Sequence, residues 1–483
     1  MHVPRQSDRF PGSPAVPPPG RFHGNHAIVI GGSISGLLAA RVLNAHFDRV
    51  TVFDRDALPS AGGNRRAVPQ GHHGHGLLAS GLRGLKTLFP GIDRDLLEAG
   101  AVPGDVIRSI RWFQHGSYKA RFASDLEGVL LSRPLLEWTL RRRVMKLPNV
   151  RIIDHSRIVA LLVDHGVVRG VRLQQANEKP SFVNGDLVVD AGGRASRTPE
   201  WLESLGYPGP AVEEVNVGIG YTTRIFRRLP RDLDGDLGAI LAPKPPHEQR
   251  IGFMLAMENN QWMVSLGGWL GHHAPTSAAG FLEFAHTLAR PDIYDVIKHA
   301  EPLTHAVTCA FPSSLRRRYE GLTRFPGNYL VMGDALCSFN PLYGQGMSVA
   351  TLESLALRDC LEHGGPLRDL WRGFFKAAGK IIEGPWRIAA GSDFAFAGVT
   401  GAKPAGTSVV NWYLARVHQA ASTDRHVCRA FFDVANLLAP ASVLLRPSIL
   451  ARVFRECVAR RGPLAIESDR SITTGRHRMI ETH

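Results

Sequence analysis

Apolar and polar positions divide the chain into stretches with strand and helix periods. The unbroken apolar run His26-Ala27-Ile28-Val29-Ile30 reads as a strand buried on both faces. The turn Gly31-Gly32-Ser33-Ile34-Ser35-Gly36 follows it, and residues 37–43 then carry a helical pattern. A second run, Arg49-Val50-Thr51-Val52-Phe53, ends in Asp54. Helical spacing returns over 77–88, strand spacing over 102–131, and Ser132 is placed to cap a helix that continues through Leu140, Val144 and Leu147. Strands are expected at 150–154 and 158–174, the second broken by the turn Asp164-His165-Gly166, and again at 186–190. Between 215 and 310 short strands dominate, for example 218–226, 251–257 and 262–266, and these predict an antiparallel sheet. A strand at 327–332 enters a loop, a helix follows over 347–361, and most of 367–461 is helical.

This order predicts an α/β fold. A Rossmann-like nucleotide-binding domain is assembled from 25–101, 132–206 and 321–365. A mostly antiparallel β domain for substrate is inserted as 102–131 and 207–320, and C-terminal helices occupy 366–470. Residues 1–24, rich in Pro, Gly and Ser, read as a disordered leader, and 471–483 as a tail.

Composition narrows the function classes. The net charge of +14 comes from 57 Lys and Arg against 43 Asp and Glu. No basic stripe is interleaved with aromatic residues, which argues against nucleic acid; an anionic substrate or peripheral contact with a membrane surface suits the charge better. Arg316-Arg317-Arg318 is expected on a solvated face. No run of roughly 18 apolar residues marks a spanning helix, and no secretory signal is apparent. The five cysteines are scattered without a C-x-x-C pair, which suits a reducing cytoplasm and no structural zinc. His72, His73 and His75 stand on a Gly-rich loop without a carboxylate or thiolate partner, so no metal is expected there. The stripe Phe431-Phe432, Val434, Leu437-Leu438 and Leu444-Leu445 reads as core, with a substrate-tunnel wall or membrane-skimming surface as alternatives.

Three separated segments carry the chemistry. In the first, Gly31, Ser33, Ile34, Ser35 and Gly36 form a strand-to-helix turn whose free N–H groups suit a pyrophosphate. Asp54, at the end of the next strand, suits a ribose diol. In the second, a strand ending at Asp190 runs into Gly192-Gly193-Arg194-Ala195-Ser196. In the third, Gly333-Asp334 precedes Pro341-Leu342-Tyr343-Gly344-Gln345-Gly346-Met347, an acid followed by a second Gly-rich helix start. Asp334 can take a ribityl hydroxyl. The N–H groups from Gly344 to Met347 can face the edge of an isoalloxazine that gains negative charge on reduction. A pyrophosphate site combined with such a flavin site points to FAD rather than NAD.

With these motifs the chain resembles the FAD-dependent monooxygenases of the aromatic-hydroxylase (group A, para-hydroxybenzoate hydroxylase-like) superfamily. Its Arg66–His75 loop, Ser132–Glu137 segment and Gly333–Met347 stretch are most like polyether-type epoxidases. The resemblance spans about 25–455. It implies that Arg66 and Arg133 lie along the FAD phosphates or ribityl chain, that Gly193 borders the cofactor, and that Pro341, Gly344 and Gln345 border the flavin edge where O2 reacts. It also implies insertion of one oxygen atom into a lipophilic molecule, by epoxidation or hydroxylation through a flavin C4a-hydroperoxide, in secondary metabolism. Many members carry Asp-Gly in the second segment; here the pair is Gly192-Gly193. The reductant is then NAD(P)H bound transiently or a partner flavin reductase. A C=C reductase resembling geranylgeranyl reductases and a non-enzymatic flavoprotein are the alternatives. The Trp-x-Trp-x-Ile-Pro signature of flavin halogenases is absent from the sequence. No side-chain base is assigned, and the oligomeric state stays open. Tyr221, Trp262 and Trp269 are expected to face the flavin.

Overall fold

The computed structural model describes residues 23–461 except 66–67, 75 and 176–177. Arg66, His75 and residues 1–22 and 462–483, the leader and tail regions, therefore lie outside the described residues. Gly24, expected at the end of the leader, opens the first strand.

Among the described residues a five-stranded sheet forms one pole of the molecule. Its order is Tyr329–Val331, Leu187–Asp190, Gly24–Ile30, Phe47–Phe53 and Val150–Ile153, and every pairing is parallel. Such a sheet is covered on both faces, which is why its strands are apolar throughout. Ile28, Val29, Val50, Val188 and Leu330 have no exposure. Burying each such side chain contributes about 1.5–3 kcal/mol.

The first crossover helix, Ile34–Leu43, begins earlier than its apolar pattern indicates, inside the Gly-rich turn. Gly36 thus lies in its first turn, where a Cβ would stand 1.8 Å from the Gly31 carbonyl oxygen. Gly31 itself has φ +100° and marks the reversal from strand to helix.

The second pole is a sheet of nine strands, nearly all antiparallel among the described residues. The long strand Ala211–Arg227 pairs with Val307–Arg318 on one side and Gln261–Gly268 on the other. The order continues through Arg250–Met257, Gly238–Leu241, Ile110–Gln114 and Ser117–Tyr118, with Cys337–Ser338 at the opposite edge. The stretch 102–131 is divided between sheets. Ile110–Gln114 and Ser117–Tyr118 join the large sheet, whereas Glu127–Leu130 pairs with Val102–Asp105 on one side and Gly76–Leu77 on the other. Residues 158–174 form the expected hairpin as Ser156–Asp164 and Val167–Gln175.

Helices Leu370–Asp393, Thr407–Ala420, Arg425–Ala435 and Pro447–Arg461 follow. Their tie to the large sheet corrects one expectation. Arg316 is not on a solvated face: it is 1 % exposed and bonds Glu383 at 2.7 Å and Glu320 at 2.9 Å. Arg318, two residues on and on the same face, is half-buried and reaches Glu383 at 3.1 Å and Glu320 at 3.2 Å, while Arg317 on the opposite face donates to the carbonyl oxygens of Ala335 at 3.0 Å and Arg194 at 3.1 Å. Trp262 is a second correction. It is fully buried, bonds Asp232 at 2.8 Å and packs in a separate core under Phe281 and Phe284, away from the cavity described next.

Candidate cofactor and substrate site

The register of the parallel sheet sets the site. Ile30 is level with Phe53 on one side and Asp190 on the other, and Asp190 is level with Val331. The segments that follow these strands therefore leave the sheet side by side at its C-terminal edge. Ligands bind at that edge in open α/β sheets. A cavity of about 1880 Å³ opens there and extends along the large sheet to the C-terminal helices.

Gly31, Ser33, Ile34, Ser35, Asp54, Arg133, Gly193, Asp334, Pro341, Gly344, Gln345, Gly346 and Met347 all line this cavity. Gly36 does not; it acts behind the wall by admitting the close helix–strand contact.

At the first turn the polar groups are bound to one another. The Ser33 hydroxyl donates to Glu137 at 2.8 Å and accepts from Arg133 at 3.1 Å. Asp54 accepts from the backbone N–H groups of Gly32 at 2.7 Å and Asp56 at 2.8 Å, and from Arg65 at 3.0 Å. Arg65 also pairs with Glu137 at 2.8 Å. The sequence reading missed Arg65 and Glu137. Glu137 stands four residues after Arg133, on the same face of the helix Arg133–Met145, and that spacing was the available signal. Burial opposes the charge on Arg65, but Glu137 and Asp54 outweigh it and raise its pKa. Burial lowers the pKa of Arg133 despite Glu137 and Asp334. The helix start beside Arg133 is pinned from the large-sheet side, where Glu258 accepts from the Ser132 N–H at 2.9 Å and from its hydroxyl.

In the second segment Asp190 is 1 % exposed, and its carboxylate accepts from the Gly192 N–H at 2.7 Å, Ser196 at 2.5 Å and Thr198 at 2.6 Å. These bonds shape the turn, and Asp190 also lines the cavity. Arg194 bonds the Ser313 carbonyl and hydroxyl, each at 2.7 Å, and ties the turn to the large sheet.

The third segment is clamped from behind by two buried acids. Glu353, with no exposure, accepts from the Gly333 N–H at 2.6 Å; burial, aided by Asp334, raises its pKa to about 8. Asp393, also with no exposure, accepts from Trp269 Nε1 at 2.8 Å, Asn340 Nδ2 at 2.9 Å and the Tyr343 hydroxyl at 3.0 Å, and burial raises it to about 7. Asp393 closes the C-terminal end of helix Leu370–Asp393 and so joins that helix, the large sheet and the loop before Gly344. Sequence spacing carried no signal for this: its partners lie 50 or more residues away. Asp334 itself faces the cavity, its pKa raised by burial against the pull of Arg133 and Arg194.

The substrate side is apolar. Ile251, Phe253 and Leu255, alternate residues of one strand, line it together with Tyr221 and Trp269. Phe431 and Val434 of the expected core stripe line it too, while Phe432 is buried. His73 is buried, within hydrogen-bond distance of Thr223 Oγ1 at 2.7 Å and edge-on to Tyr221, and His72 is exposed.

The residues present fit FAD. Ser35 Oγ, Arg133 Nε and Gln345 Oε1, one from each part of the cavity's polar end, are buried without a hydrogen-bond partner. Buried polar atoms are otherwise almost always paired. Orphans spread from the first turn to the third segment match an extended polar ligand running along the sheet edge.

This fold and site define a class: the chain belongs to the FAD-dependent monooxygenases of the aromatic-hydroxylase superfamily. Within it, the chain belongs to the same family as Protein Rv3254 of Mycobacterium tuberculosis (strain ATCC 25618 / H37Rv), with 34% identity over 391 residues that cover 77% of this chain and 81% of that protein. Kynurenine 3-monooxygenase of Salinispora arenicola (strain CNS-205) is 25% identical over 69% of this chain and 72% of its own length. The solved flavin-dependent brominase Bmp2 shares the fold, with a TM-score of 0.63 and 14% identity over 91% of this chain and all of that one. No family model matches the chain.

Proposed function

We propose that the chain binds FAD along the C-terminal edge of its parallel sheet and inserts one oxygen atom from O2 into a lipophilic organic substrate, by epoxidation or hydroxylation, as a cytoplasmic enzyme of secondary metabolism. The observation that carries this reading is one continuous cavity of about 1880 Å³ with a polar end at three strand termini and an apolar remainder. When bound, the flavin supplies the two-electron chemistry with O2 that no side chain can perform.

The chain's own residues hold and shield. Ser35, Arg133 and the first turn receive the pyrophosphate, and Asp334 takes the ribityl side. The backbone from Gly344 to Met347, at the start of helix Gly346–His363, supports negative charge on the ring edge. Asp393, acting through Asn340 and Tyr343, is a positioning residue for that loop. Ile251, Phe253, Leu255 and Trp269 exclude water and leave an alkene or an electron-rich ring held by shape and apolar contact. The balance is one O2, one reduced nicotinamide and one proton in; oxygenated product, water and oxidised nicotinamide out. Electrons arrive from NAD(P)H bound transiently or from a partner flavin reductase.

The test is stopped-flow absorbance of the flavin-loaded protein, mixed anaerobically with NADPH or NADH and then with O2 in the presence of lipophilic alkenes or phenols. Bleaching followed by oxygen-dependent recovery, with labelled oxygen from O2 in the product, supports the reading. Turnover of a C=C bond without oxygen uptake replaces it with the reductase alternative.

A further inference from the structure

The end of the cavity farthest from the flavin loop is not apolar. His115 sits at the turn between strands Ile110–Gln114 and Ser117–Tyr118, with φ +52°. Its imidazole stacks on that of His418 from helix Thr407–Ala420, with centroids 4.8 Å apart and planes at 27°. Both residues line the cavity. His418 is 9 % exposed, and its Nδ1 is buried without a partner. Among the described residues neither ring makes a hydrogen bond. Lys119, 4 % exposed, donates to the His418 carbonyl oxygen at 3.0 Å and so stands beside the pair.

A stacked, buried imidazole pair with an open nitrogen is an incomplete polar site. Core histidines normally satisfy their nitrogens, because a buried polar atom stripped of water and left unpaired is destabilising. The fixed charges that act on the rings are cations: Lys119 on both, and Lys244 on His115. Burial first, and these cations second, push His115 down to about 4 and His418 well below its ordinary value. Two neutral rings that can each donate one N–H, set in a field of fixed positive charge, favour an anion that accepts two hydrogen bonds.

Its distance from the reaction centre sets the ligand's length. The flavin loop follows the strand Cys337–Ser338 at one edge of the large sheet, and His115 lies at the opposite edge. At about 4.8 Å per strand, the two are about 30 Å apart measured along the sheet. The wall between them carries Tyr221, Phe253, Leu255, Ile240 and Trp112.

We infer that His115 and His418, in the positive field of Lys119, form a carboxylate-binding subsite that anchors the far end of a long, otherwise apolar substrate whose other end reaches the flavin loop. The inference rests on the monooxygenase reading and narrows it to lipophilic carboxylic acids. The anchor fixes which carbon meets the flavin edge by the length of chain between them.

The test uses the full-length, flavin-loaded protein and isothermal titration with decanoate and with decan-1-ol, which share one chain and differ in charge. Wild type is expected to bind decanoate at least tenfold more tightly. His418→Phe keeps the stacked ring but removes its nitrogens, and should abolish that preference while decanol affinity and flavin content stay unchanged. His115→Asn, which tolerates the positive φ, should reduce it as well. Equal wild-type affinities for the two probes, or a preference that survives both substitutions, overturns the subsite. The heat of binding does not depend on the flavin, whereas the flavin content of the purified protein tests the underlying reading. A colourless protein that still prefers decanoate separates the two.

Discussion

The two ends of the cavity are built by different means. At the parallel-sheet end, cofactor contacts come from short contiguous segments that begin where a strand stops: Gly31 after Ile30, Asp54 after Phe53, Gly333 and Asp334 after Met332. Backbone groups and glycine geometry do most of the recognition. At the other end, recognition comes from side chains on elements far apart in sequence, His115 with His418. The first kind of site tolerates little change in backbone shape. The second tolerates shape changes but depends on a few buried polar atoms.

The largest effect should come from Gly36→Val. Its Cβ would fall 1.8 Å from the Gly31 carbonyl, so the helix must leave the strand. The expected cost exceeds about 4 kcal/mol, visible as loss of soluble protein or of the cooperative unfolding transition. Asp334→Ala should leave the fold intact by circular dichroism but weaken flavin retention by roughly 10- to 100-fold, the worth of a hydrogen bond to a charged group. Unchanged flavin content would remove Asp334 from the cofactor site.

Asp393→Ala tests the side-chain clamp behind the flavin loop. It strands Trp269 Nε1, Asn340 Nδ2 and the Tyr343 hydroxyl, and should cost about 3 kcal/mol or more in chemical denaturation. Asp393→Asn keeps an acceptor oxygen and should lose about 1 kcal/mol.

Two glutamates, one buried and one partly exposed, give a smaller contrast with opposite pH signs. Glu353 has a folded pKa of about 8, above its ordinary 4.5. The unfolded chain therefore releases this proton first, and stability falls as pH climbs from 4.5 towards 8. Glu353→Gln keeps the acceptor for Gly333 and should flatten that slope in pH-dependent melting curves, with its largest gain near pH 8. Glu383 is partly buried, but Arg316, Arg387 and Arg318 outweigh its burial and hold it down to about 2. Its contribution is present above 4.5 and is lost as pH falls through about 2. Glu383→Gln should thus be destabilising at neutral pH and neutral in strong acid.

The sequence by itself determined the elements whose cause is local. Ile28 to Gly36 could only be a buried strand, a turn and a helix start, because the apolar run, the glycines and the helical spacing agree within a few residues. The same holds for Ser132 and for Gly344 to Met347. Local patterns also determined that an extended polar cofactor would meet a largely apolar pocket. Only the tertiary structure decided which charged residues are buried and with whom. Arg316 has no local feature that distinguishes it from Arg318; its place under helix Leu370–Asp393, where it bonds Glu383 and the Gly379 carbonyl, buries it. Nor does any local feature of Asp393 or His418 show that each would be drawn into a buried polar cluster. Those clusters form between positions from 50 to about 300 residues apart, and such pairing is set by how sheets and helices stack, since a polar group's partner is chosen by proximity in the fold and not along the chain.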